Sequence, residues 1–136
     1  MILGVQSIYN AYTFTVNATN GTGPGKRIYF PDVSAVRGKL ITGFIVYDDN
    51  SIALSPNGTA NIPAGDSGSV FVSLVDRDAK VFVDNVPFNF YNLLRFGQPL
   101  RNITPARILD VQKCYFQTSD TFTLESIVCT FIYQDV

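Results

Sequence analysis

The chain has 136 residues, a formal net charge of -1 at pH 7, and 15% charged against 46% hydrophobic residues. One domain of this length buries a sizeable core; the composition excludes a disordered chain, and the absence of a basic excess argues against nucleic-acid binding. Val, Ile, Thr, Phe and Tyr supply 54 residues, whereas Ala, Glu, Lys, Gln and Met supply 19, a bias that predicts sheet and excludes an all-helical fold.

The segment from Met1 to Tyr9 has no basic start and no long apolar run, so it is not read as a secretory leader. No stretch reaches the ~18 apolar residues of a membrane helix, and no membrane span is expected. Synthesis and retention in a cytosol-like compartment is the expectation. Tyr12–Asn17 alternates apolar and polar residues and predicts a strand. Ala18–Gly25 is rich in Asn and Gly and reads as a loop, followed by a short strand over Lys26–Phe30 that Pro31 ends. Asp32–Val36 predicts one helical turn or an irregular crossing.

Lys39–Tyr47 is the most strand-like run, apolar on both faces as a strand covered on both sides would be. Gly43 in its middle predicts a bulge or a close backbone approach. Asp48, Asp49 and Asn50 turn the chain, and Ile52–Leu54 predicts a short strand. Ser55–Gly58 is a Pro-Asn-Gly turn, Thr59–Ile62 a further short strand, and Pro63–Gly68 a loop.

Ser69–Val75 and Lys80–Val86 flank Asp76–Ala79 and predict a β-hairpin. Phe88–Phe96 fits a short helix and a kinked strand equally. Arg107–Gln117 and Phe122–Tyr133 predict a last hairpin. Residues 1–136 therefore read as one all-β domain, a jelly-roll-like β-sandwich of about eight to ten short antiparallel strands.

Histidine and tryptophan are absent. Without histidine there is no Ser-His or Cys-His nucleophilic pair and no imidazole zinc ligand. Gly65-Asp-Ser-Gly68 matches the nucleophile tetrapeptide of trypsin-like proteases, but the base that chemistry needs is missing. Gly21–Lys26 departs from a phosphate loop: Asn20 stands at the first Gly slot and Arg27 follows the Lys. The acids Asp48, Asp49, Asp76, Asp78 and Asp84 are potential calcium ligands, yet turn acids ordinarily bond their own backbone. Asn-x-Ser/Thr sites at Asn17, Asn20, Asn57 and Asn102 matter only in a eukaryotic secretory pathway.

Cys114 and Cys129 fall on adjacent predicted strands with Cys114 opposite Glu125, so free thiols are expected. Tyr91 and Phe96 belong to an aromatic cluster that serves the core or an interface with a neighbouring subunit; they are the candidate interface residues. No catalytic residue, metal ligand or cofactor site is expected.

Five pieces in order carry a resemblance: Val36-Arg-Gly-Lys-Leu-Ile-Thr-Gly43, Ser55-Pro-Asn-Gly58, Ser73-Leu-Val-Asp76, Asn85-Val-Pro87 and Asp110-Val-Gln-Lys-Cys-Tyr115. Their arrangement resembles the minor capsid or vertex (penton) proteins of tailless icosahedral bacteriophages, which are small single jelly rolls. The resemblance implies a non-enzymatic virion structural protein, made in the host cytoplasm, whose partners are itself and other capsid proteins. The alternative is an extracellular carbohydrate-binding or adhesin-type sandwich using exposed Tyr and Asp side chains.

Overall fold

The computed structural model describes residues 10–17, 26–49, 51–55, 62, 70–92, 102–118 and 126–135. They form eight strands: β1 (Asn10–Asn17), β2 (Arg27–Tyr29), β3 (Leu40–Tyr47), β4 (Val70–Val75), β5 (Val81–Pro87), β6 (Arg107–Ile108), β7 (Tyr115–Thr118) and β8 (Ser126–Gln134). No α-helix occurs among the described residues; single 3-10 turns form at Ser34–Val36, Ile52–Leu54, Phe88–Tyr91 and Val111–Lys113.

The strands make two four-stranded antiparallel sheets. Sheet A runs β1-β8-β3-β6 and sheet B runs β2-β7-β4-β5. Four antiparallel pairs, β1·β8, β2·β7, β3·β6 and β4·β5, describe one long hairpin whose two-stranded ribbons alternate between the sheets. The added pairings β8·β3 and β7·β4 close the ribbon into a roll. This winding is a jelly roll.

The core lies between the sheets. Phe14 and Val16 of β1, Phe44 and Val46 of β3, and Ile127, Cys129 and Phe131 of β8 face Ile28, Val72, Leu74 and Phe116 of sheet B. Phe30, just past β2, joins the two layers: its ring lies 4.9 Å from Phe116, 5.7 Å from Phe14 and 5.8 Å from Phe44. Apolar burial of this kind is the main source of stability.

β3 shows how the sequence sets the packing. Its pairing with β8 shifts between Ile41 and Gly43, which leaves Thr42 as the extra residue of a bulge. The extra residue changes face parity, so Ile41 reaches the same core as Phe44 and Val46. Ile45 and Tyr47 point to the other face with Val128 and Ile132, where Ile52 packs against them. The central strand is thus buried on both sides, as its doubly apolar pattern predicts.

Three expectations need correction. The last two segments are not a hairpin: β7 belongs to sheet B and β8 to sheet A, so Cys129 pairs with Phe14 and Val46. Alternation fixes which side of a strand is apolar but not which strand it pairs with. Arg107–Gln117 is interrupted by the Val111–Lys113 turn instead of running as one strand. Ile52–Leu54 is a 3-10 turn because Ser51 and Asp48 close a tight turn before it and Ser55 N–H donates to the Ile52 carbonyl at 2.9 Å. Gly65–Gly68, Gly21–Gly25 and the predicted Thr59–Asn61 lie outside the described residues.

Candidate functional site

Alternation in sheet B sends Ile28, Val72 and Phe116 inward, which turns their neighbours outward. Register places Arg27, Gln117, Phe71 and Pro87 in one row across the outer face, and Tyr29, Tyr115 and Ser73 in the next. Tyr29 is 52% exposed and its ring lies 5.7 Å from that of Tyr115 at 58°. The Arg27 guanidinium sits 4.4 Å over the Tyr115 ring, a cation–π contact. Ser73 is buried, and its hydroxyl accepts from the Asn85 N–H at 2.9 Å. The face combines rigid aromatic surface with phenol, amide and guanidinium groups, a make-up enriched where proteins bind partners. The alternation in Arg27-Ile-Tyr29 and Tyr115-Phe-Gln117 was the available sequence signal; what it lacked was the pairing that aligns these segments side by side.

Of the acids weighed as potential calcium ligands, Asp76 and Asp48 bond neighbouring backbone, as turn acids ordinarily do. Asp76 Oδ1 accepts from the N–H groups of Asp78 at 3.0 Å and Lys80 at 2.9 Å, and its Oδ2 accepts from Arg107 at 3.1 Å. These bonds hold its carboxyl below the usual aspartate range, the Lys80 N–H contributing most. The Arg107 guanidinium also lies 4.7 Å over the Phe82 ring, which ties β6 to the β4–β5 hairpin. Asp48 is buried and accepts from the Ser51 N–H at 3.1 Å, while its own N–H donates to the Ser51 hydroxyl at 2.8 Å. Asp84 is exposed on β5. Among the described residues no group of three or more His, Cys, Asp or Glu is placed to hold a metal ion.

Both cysteines are free and buried, Cys129 in β8 of sheet A and Cys114 between the Val111–Lys113 turn and β7 of sheet B. Burial pushes the Cys114 thiol up to about 12 and the Cys129 thiol well above its ordinary value. Neither is a thiolate nucleophile at neutral pH.

Tyr91 is a core residue in this chain: it is 3% exposed, with its ring edge-on to Phe44 at 5.4 Å. The exposed ring beside it is Phe90, 5.1 Å away. The second candidate interface residue, Phe96, lies outside the described residues. Asn102 uses both ends of its amide on β3, accepting from Phe44 N–H at 2.9 Å and donating to the Phe44 carbonyl at 2.7 Å. A glycan on that amide nitrogen would displace the second bond.

A cleft of about 320 Å³ beside β6 is lined by Asp32, Val33, Arg37, Arg77, Leu109 and Asp110, among others. Its charges are largely paired locally: Arg37 with Asp32, and Asp110 with Lys113 at 3.6 Å. No helix among the described residues is long and apolar enough to cross a membrane. Comparison with protein-family models, with curated proteins and with solved structures finds no match.

Proposed function

We propose that the chain is a non-enzymatic structural protein of a virion, a minor capsid or vertex component that assembles with itself and with other shell proteins. The observation that carries this reading is the winding of a single small jelly roll, 1-8-3-6 over 2-7-4-5, with no appended layer among the described residues. Such a block presents sheet faces and edges to neighbours, and jelly rolls of this size are recurrent shell modules. The low charge of the sequence and the Tyr29–Tyr115–Arg27 face support it, because the centre of a protein interface is poor in charge and rich in Tyr and Arg. The fold by itself hosts many functions, so the test must read assembly directly. Native mass across concentration, with negative-stain images of the same sample, is expected to give a closed oligomer or shell-like particles. A strict monomer throughout the range would contradict self-assembly.

The second reading, a carbohydrate-binding or adhesin-type module, draws on the same outer face, where Tyr29 and Tyr115 offer rings and Arg27 and Gln117 offer hydrogen bonds. It predicts thermal stabilisation by a glycan and its loss in Tyr29→Ala; the assembly reading predicts no glycan response.

A further inference from the structure

Tyr29 and Tyr115 stand directly opposite each other in the β2·β7 pairing. The Phe30 N–H donates to the Cys114 carbonyl at 3.0 Å, which makes Phe30 and Cys114 a hydrogen-bonded pair of this antiparallel ladder. Tyr29 and Tyr115, one step along, therefore take the non-hydrogen-bonded position, where facing side chains come closest. Their chain neighbours Ile28, Phe30, Cys114 and Phe116 are all buried, which anchors both segments and fixes the two rings on the outer face.

The ring centres lie 5.7 Å apart with planes inclined at 58°, a separation at which two rings touch. The Arg27 guanidinium covers one face of Tyr115 at 4.4 Å and holds that ring in place. Tyr29 is 52% exposed, so its phenol is open to an oxidant in solution. Among the described residues this is the one contact between two tyrosine rings: Tyr47 and Tyr91 are buried, and the other exposed tyrosine, Tyr12, belongs to sheet A.

We infer that Tyr29 and Tyr115 form an oxidative cross-linking site, at which hydrogen peroxide and a haem peroxidase join the two phenols into a dityrosine within one chain. The oxidised haem takes one electron and one proton from each phenol, and the two phenoxyl radicals couple through a new bond between ring carbons ortho to oxygen. The hydrogen on each joined carbon then moves to the phenol oxygen, so both hydroxyls are restored. One hydrogen peroxide accepts the two electrons and two protons and leaves as two waters, and the protein is lighter by two hydrogen atoms. The ladder holds the reacting rings side by side, which favours coupling within the chain over coupling between chains. The product ties the short strand β2 covalently to β7. A link between segments so distant in sequence restricts the unfolded chain and stabilises the fold. The site goes beyond the assembly reading and does not depend on it, because a single chain supplies both phenols.

The test treats the full chain at low concentration with a haem peroxidase and limiting hydrogen peroxide. Expected are dityrosine fluorescence, a single-chain mass reduced by two hydrogens, and a digest in which the Tyr29 and Tyr115 peptides are joined. The yield per chain is expected to hold on further dilution. Tyr29→Phe and Tyr115→Phe keep the rings but lack the phenol, and each is expected to lose the single-chain product, whereas Tyr12→Phe is expected to keep it. The cross-linked protein should unfold at a higher denaturant midpoint than the untreated one. Absence of the single-chain product from the wild type overturns the inference, as does a product that maps to other tyrosines or persists in Tyr29→Phe. An unchanged midpoint overturns the stabilising role of the link.

Discussion

Ala79 sits at φ 63° in the turn between β4 and β5, where its N–H donates to the Asp76 carbonyl at 3.0 Å. A residue with a Cβ pays a steric cost in that left-handed region which glycine avoids. Ala79→Gly is therefore expected to raise stability by about 1 kcal/mol, read as a higher denaturant midpoint at unchanged slope. Asp76 anchors the same turn and links stability to pH. Its folded pKa lies below the ordinary value of 3.8, so the folded state binds fewer protons than the unfolded chain near that pH. Its stabilisation is complete above the ordinary value and is lost as pH falls through the lowered one. Melting temperature should drop on acidification below about pH 4, and Asp76→Asn should flatten that dependence. Parallel curves for the two proteins would show that Asp76 is not the linked group.

At the scale of elements, β3 poses an accounting problem that its neighbours solve. β6 pairs with Leu40 and Ile41 only, and no other strand among the described residues lines the rest of that side. The bulge residue Thr42 offers its carbonyl to the Ile103 N–H at 3.0 Å, the Asn102 amide bonds both backbone groups of Phe44, and Asn92 bridges to Val46. Buried backbone groups need such partners. Asn102→Ala is expected to destabilise by about 1–3 kcal/mol, the cost of leaving buried backbone groups unpaired, whereas Asn102→Asp should retain the acceptor half. Thermal melts of the two variants check the order.

These same elements mark what was legible in the sequence. The doubly apolar Lys39–Tyr47 run and the hairpin around Asp76–Ala79 follow from local pattern and turn chemistry, and the structure has both; of the bulge or close approach that Gly43 signalled it has the bulge, with Thr42 as the extra residue. The free thiols were also expected, although from a wrong pairing: Cys114 and Cys129 are in different sheets and not across a hairpin. The separation of β7 from β8 was not legible, because it is set by contacts with β2 and β4 far away in sequence. The outer-face tyrosines were missed for that reason. Tyr29 and Tyr115 lie far apart in the chain and become neighbours only through the β2·β7 pairing.

For the molecule as a whole, the roll places the long hairpin's two halves on each other, so that every ribbon depends on a partner distant in sequence. Topologies dominated by such contacts fold slowly. The rings of Phe14, Phe30, Phe44, Phe116 and Phe131 bind the two sheets into one unit. What remains outward among the described residues includes an aromatic face on sheet B, where Tyr29, Tyr115 and Arg27 meet. In the shell-component account, this face is where neighbours attach. Amide hydrogen exchange compared between dilute and concentrated protein tests that claim most directly. The account predicts that protection rises with concentration along the Tyr29 and Tyr115 rows. Identical exchange at both concentrations would contradict it.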